Sequence, residues 1–285
     1  FFPSTLFRSK LITMFRLILK EPPVFLRDAR NFQILFLSTF LLFGIWNLGW
    51  ETDILKIGVI LATGLAVQSI GIMWSGAPWH SLKSALITCL GLSLLFKANS
   101  YSTIALCVFL AIAGKFIIRF NGKHLYNPAN FGIVLTILLT GDAWISPGQW
   151  GSSAVILFLV GSAGLMVVLR AGRLDTSIAF LGTLFFLEFC RTIVYQGWDY
   201  DFLMHKFTNG SLLLFTFFMI TDPVTTPNHP ISRLLWASMI AVLTFFLGNW
   251  EQIHTAPVWA LFFITPFTIL FDKLLVAKKF QWINA

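Results

Sequence analysis

Charge is what this sequence lacks. Acidic and basic residues together make up 11% of its 285 residues, and only 12 are Asp or Glu. So few charged side chains cannot cover a water-facing surface, which excludes an ordinary soluble domain. Cysteine is equally sparse. Cys89, Cys107 and Cys190 lie far apart and match no disulfide ladder, CxxC pair or zinc spacing. They read as small core residues, and three thiols fall short of the usual ligand set of an iron–sulfur cluster. No HExxH, P-loop, dinucleotide fingerprint or Ser–His–Asp order is present. The first 30 residues also lack a short apolar core with a small-residue cleavage site, which disfavours a signal peptide.

What is present is apolar. Hydrophobic residues make up 57% of the chain, and mean hydropathy is +0.80. They gather into ten stretches, 31–50, 54–76, 82–97, 101–118, 128–141, 150–170, 175–195, 205–221, 231–249 and 255–275. Apolar runs of about 18 or more residues read as spanning helices, because lipid forces the backbone to pair within itself. The expected fold class is therefore an all-α polytopic membrane protein of about ten transmembrane helices. The stretches 82–97, 128–141 and 205–221 are short for a full crossing and read as tilted, broken or re-entrant helices.

Basic residues give the orientation. With the N-terminus inside, sixteen of the twenty Lys and Arg residues fall at the cytoplasmic side; Lys56, Lys97, Arg191 and Lys206 fall at the other. That asymmetry favours ten crossings with both termini cytoplasmic. Trp46, Trp50, Trp144, Trp150, Trp198 and Trp250 cluster near the outer boundary as an aromatic belt. The +8 net charge then calls for no nucleic acid; anionic headgroups attract the same residues, so lipids are partners. Residues 1–30 alternate apolar and basic groups and read as an interfacial amphipathic segment ahead of a ten-helix membrane domain, 31–285. Each half of that domain carries a short span and a polar turn. Five helices per half is an odd number, so the second half is inverted relative to the first, an architecture whose working site lies where discontinuous helices meet.

Two polar constellations mark that site. In Lys123–Gly132 (KHLYNPANFG), Pro128 suits a first helical turn and Asn127 its cap. Asn130 and Gly132 follow where free N–H groups and the positive dipole end face outward. Such a start can hold an anion or the polar edge of a ring; equally, Asn127 can merely cap while Asn130 bonds a neighbouring carbonyl. In Phe218–Thr226 (FMITDPVTT), Thr221 and Asp222 directly follow an apolar span. A carboxylate there is either functional or closes an Asx-type turn. Ser232 reads as the cap of the next helix. Glu188 and Arg191, three apart, read as a pair on one helix face.

These two segments resemble the NqrB/RnfD family, membrane subunits of the sodium-pumping NADH:quinone reductase and of the Rnf electron-transport complex. The first is similar to that family's F-N-P-A-x-x-G, the second to its F-M-A-T-D-P-V-S. The resemblance covers roughly residues 50–275. It implies an electron-transfer subunit of a larger membrane redox complex, with other subunits as partners, that binds riboflavin or FMN noncovalently, or a quinone. It assigns cofactor binding to Asn127, Pro128, Asn130 and Gly132, with Thr221 and Asp222 completing the pocket. Members also carry FMN esterified to a Thr of an S-G-A-T-like motif. The connection Thr140–Gly151 has no such motif, so covalent FMN is not expected here. Two other functions stay open: an assembly subunit that keeps the fold without a cofactor, and an inverted-repeat solute or ion transporter.

Overall fold

The computed structural model describes residues 28–50, 53–151 and 154–280. The amphipathic segment expected over 1–30 falls, apart from Asp28–Arg30, outside them. A helix lies in each of the ten apolar stretches: α1 (Ala29–Trp46), α2 (Ile54–Ser75), α3 (Leu82–Leu95), α4 (Tyr101–Ile117), α5 (Pro128–Thr140), α6 (Ala154–Ala171), α7 (Leu174–Phe189), α9 (Gly210–Leu214), α10 (Pro230–Asn249) and α11 (Ala256–Ile264), with the short α8 (Tyr200–Phe207) before α9. α7 continues as a π-helix to Tyr195, α9 likewise to Met219, and α11 passes through a turn at Pro266 into α12 (Thr268–Leu274). Among the described residues, five helices are long and apolar enough to cross a membrane: Ala29–Trp46, Ile54–Ser75, Leu174–Tyr195, Pro230–Asn249 and Ala256–Leu274.

The outer surface is apolar, with Ile54 78%, Met73 74%, Trp74 74% and Phe186 64% exposed. Such faces need lipid rather than water, and the chain is an integral membrane protein. The Trp belt is incomplete. Trp46, Trp144, Trp198 and Trp250 face outward, whereas Trp50 and Trp150 are buried against each other at 5.0 Å, edge to face.

The stretch expected over 205–221 is divided. Asn209 accepts a hydrogen bond from the Ser211 N–H at 2.8 Å and starts α9 there, leaving His205 and Lys206 on α8. Ser232 does not cap α10. His229 does, because Pro230 takes the first helical position, and Ser232 is buried inside the first turn.

Nothing in the apolar pattern points to strands, yet two small antiparallel pairs form. β1 (Phe96–Ala98) pairs with β4 (Ala143–Ile145), and β2 (Arg119–Phe120) with β3 (Lys123–His124). The first pair answers a need of α3, which stops inside the protein with Phe96 and Ala98 buried. Unpaired carbonyls there would be costly. Gln149 Nε2 donates to Leu94 O at 2.7 Å, Ser146 N donates to Leu95 O at 3.3 Å, and β4 pairs the rest.

Asp142 secures the same corner. It accepts hydrogen bonds from Thr103 Oγ1 (2.7 Å), Asn99 Nδ2 (2.7 Å) and Ser100 Oγ (3.1 Å). Those donors, the Thr103 hydroxyl first, hold its carboxyl at about 2. A depressed carboxyl stabilises the fold above its ordinary value of about 3.9 and loses that contribution as pH falls through the folded value. Asp142→Asn should therefore lower the melting temperature in detergent at about pH 6, and the gap from wild type should close between about pH 4 and pH 2.

Candidate functional site

The start of α5 and the turn after α9 meet. Asn127 Oδ1 accepts from the Asn130 N–H at 3.1 Å and so caps α5, with Pro128 next. Its Nδ2 donates to Met219 O at 3.2 Å, tying α5 to the end of the π-helical stretch. Asp222 closes an Asx turn, Oδ1 accepting from Val224 N at 3.1 Å, while its backbone oxygen accepts from Thr226 N at 3.1 Å. Oδ2 faces His124 Nε2 at 3.8 Å. Burial pushes the Asp222 carboxyl up, but the neighbouring His124, the Val224 N–H and Lys115 outweigh it, and the group sits below its ordinary value.

Cations brace the proline-rich turn from three sides. Lys123 Nζ donates to Thr226 O at 2.9 Å and pairs with Asp272 at 3.0 Å. Arg173 donates to Thr226 Oγ1 at 2.9 Å and to Pro223 O at 3.1 Å. Arg233 donates to Asn228 O at 2.8 Å and pairs with Asp175. Burial, then Arg233 close by, pulls Arg173 down to about 10. Burial likewise lowers Lys123, against the opposing pull of Asp272.

The six residues singled out from the sequence divide into two groups. Asn127, Pro128 and Asp222 line a cavity of about 70 Å³, together with Arg30, Ser84 and Phe218. Asn130, Gly132 and Thr221 do not. Asn130 is fully buried and donates to Val258 O at 2.7 Å, joining α5 to α11. Thr221 Oγ1 donates back to Phe217 O at 2.7 Å. Gly132 lets α5 press on α4: a Cβ there would lie 2.6 Å from Cys107 O and 2.7 Å from Ala111 Cβ. Sequence reasoning missed Lys115. It was counted only for orientation, yet it is buried on α4 with its Nζ 3.4 Å from Ser84 Oγ. The available signal was its place inside an apolar helical run rather than after it.

A cavity of about 70 Å³ has room for about two waters at ~30 Å³ each. A second cavity has ring dimensions, about 740 Å³, against ~300–1,000 Å³ for typical ligand sites. It lies at the opposite ends of α3 and α9, walled by Leu95, Leu184, Phe215 and Val258 and bordered by Asn209 and Lys206. Glu188 stands there too, but not as expected: it pairs with Lys206 of α8 at 2.7 Å, while Arg191 donates to Gln196 at 3.1 Å. The π-helical stretch that starts at Cys190 changes the three-residue spacing on which the Glu188–Arg191 pairing relied.

Membrane helices that stop inside the protein, with polar contacts at their ends and cavities beside them, define a class: polytopic membrane proteins built on discontinuous helices. Residues 136–281 match the model of the NQR2, RnfD, RnfE family. That is half of the chain, and the chain belongs to this family. The match takes in the Asp222 turn and begins just after Gly132. Two relatives are each named as a subunit of an ion-translocating oxidoreductase complex. The one from Shewanella frigidimarina (strain NCIMB 400) is 31% identical over 120 residues, 42% of this chain and 32% of the relative. The one from Stutzerimonas stutzeri is 28% identical over 137 residues, 48% of this chain and 38% of the relative. The chain thus spans about a third of the length of these relatives.

Gly132→Ala tests the packing role of that glycine. Forcing α4 and α5 apart should cost about 1–3 kcal/mol, seen as a lower melting temperature in detergent. Gly91→Ala, where added bulk meets nothing within 4 Å, serves as the control.

Proposed function

We propose that this chain is an electron-transfer subunit embedded in the membrane part of a larger redox complex, carrying a flavin or quinone ring noncovalently in the 740 Å³ cavity. The observation that carries the reading is a ring-sized cavity in a member of a family whose relatives are named as oxidoreductase complex subunits. When bound, the ring would accept and release electrons. The chain would supply binding, orientation and electrostatics: Leu95, Phe215 and Val258 exclude water from the ring faces, and Lys206 stands at the polar border. Covalent FMN is no part of this reading. The Asn127–Asp222 notch holds the two halves in register and keeps a small hydrated, charged pocket.

The same reading has ten crossings in two inverted five-helix units, both termini cytoplasmic, in a bacterial inner membrane. Supporting it, the packing recurs. In the first half α3 packs on α1 and α2, α4 on α2, and α5 on α4. In the second, α9 with its π-helical extension packs on α6 and α7, α10 on α7, and α11 on α10. One observation favours a second reading, an assembly subunit without a cofactor: the cavity at the notch where the resemblance puts a flavin measures about 70 Å³.

The deciding experiment purifies the chain from native membranes with its co-purifying subunits, denatures it, and assays released flavin by fluorescence and quinone by mass spectrometry. A ring released without proteolysis, stoichiometric with the chain, is the expected result. Absence of both rings from the intact complex would overturn the electron-carrier reading.

A further inference from the structure

A carboxylate inside a membrane protein is expensive unless every oxygen is used. Glu188, near the end of α7, is 3% exposed. Its Oε1 is well served, by Lys206 Nζ at 2.7 Å and Asn249 Nδ2 at 2.9 Å. Its Oε2 is buried with no hydrogen-bond partner. Across on α10, Thr244 is 6% exposed and its Oγ1 is also without a partner. An ordinary helical threonine returns its hydroxyl to the carbonyl four residues back, as Thr216 and Thr221 do. Thr244 does not. Both residues line the 740 Å³ cavity.

An ion pair that only held α7 to α8 would need neither a free second oxygen nor an idle hydroxyl beside it. Lys206 and Asn249 fix the carboxylate from the side of Oε1, which leaves Oε2 as an unused acceptor. Thr244 supplies a donor on the same wall. An acceptor and a donor together suit a ligand edge that carries an N–H or O–H next to a carbonyl.

We propose that Glu188 Oε2 and the Thr244 hydroxyl are the recognition edge of the large cavity, Glu188 accepting a hydrogen bond from a ring N–H or O–H and Thr244 donating to a ring carbonyl. Lys206 and Asn249 are positioning residues that hold the carboxylate in place. The inference rests on the proposed ring-binding reading and deepens it. The ligand class is a planar redox ring with a hydrogen-bond donor on its polar edge. The imide edge of a flavin satisfies both groups, whereas a quinol satisfies Glu188 alone.

Equilibrium binding to the full-length chain in detergent, stripped of endogenous ligand, tests this. The probes are riboflavin against N3-methylriboflavin, which lacks the imide donor, and a short-chain ubiquinol against its dimethyl ether. Wild type should prefer the donor-bearing member of one pair by about ten- to hundredfold, the range for a hydrogen bond to a charged group. Glu188→Leu should abolish the preference. Thr244→Val should weaken riboflavin and its N3-methyl analogue alike while leaving quinol binding unchanged. Size-exclusion profiles check folding, and Thr244→Val keeps the test alive if Glu188→Leu fails to fold. Preference within the flavin pair identifies an imide ligand and supports both roles; preference within the quinol pair identifies a hydroxyl ligand, supports the role of Glu188 and overturns that of Thr244. Ring binding with no donor preference, or a preference that survives Glu188→Leu, overturns it while the ring-binding reading stands. No binding of any probe overturns both.

Discussion

A helix that ends within a membrane protein leaves amides and carbonyls with no water to turn to, and this chain is organised around meeting that demand. Asn127 is the clearest case. One carboxamide serves two helix ends at once, its oxygen taking the Asn130 amide of α5 and its nitrogen meeting the Met219 carbonyl at the close of the π-helical stretch. Because those ends come from different halves of the sequence, a capping bond becomes the joint between them. Asn130 adds a second tie, its carboxamide nitrogen donating to Val258 O of α11. Gln149 and the strand pair do the same work at the far end of α3. Remove these partners and α3, α5 and α9 have no reason to stop where they do.

That logic also explains which features were legible in the sequence. The ten apolar stretches are lipid- and core-facing helices because bulk hydrophobicity is a local property. The Asn127 cap and the Asx turn at Asp222 follow from short-range side-chain chemistry, so their residue types announce them. Short-range signals can also mislead: Ser232 looked like a cap, but Pro230 fixes the helix start two residues earlier. What escaped depends on parts distant in the chain. The β1–β4 pair joins segments on either side of α4 and α5, Lys206 reaches Glu188 only because α8 folds back, and Lys115 gains its meaning from Ser84 across a helix interface. Of the site itself, the sequence marked the tightly packed junction and left the roomy cavity invisible, since a void has no residue type of its own.

The two polar regions differ in kind. Around Asp222, buried charges of both signs are crowded and mutually satisfied, with Lys123, Arg173 and Arg233 each spending donors on the backbone of one turn. Such a network resists rearrangement, because loosening one member strands the others. The opposite cavity is mostly apolar with a few polar groups at its edge, the composition of a place built to receive something. Membership in the NQR2, RnfD, RnfE family fits this division between a fixed frame and a receptive chamber.

Leu95 belongs to the walls of both. At that point one hydrocarbon side chain is a partition common to both cavities. Hydrocarbon screens charge poorly, so an electron or a cation arriving on one side would be sensed on the other without any helix having to move. The partition is thus an insulator for water and a window for the electric field.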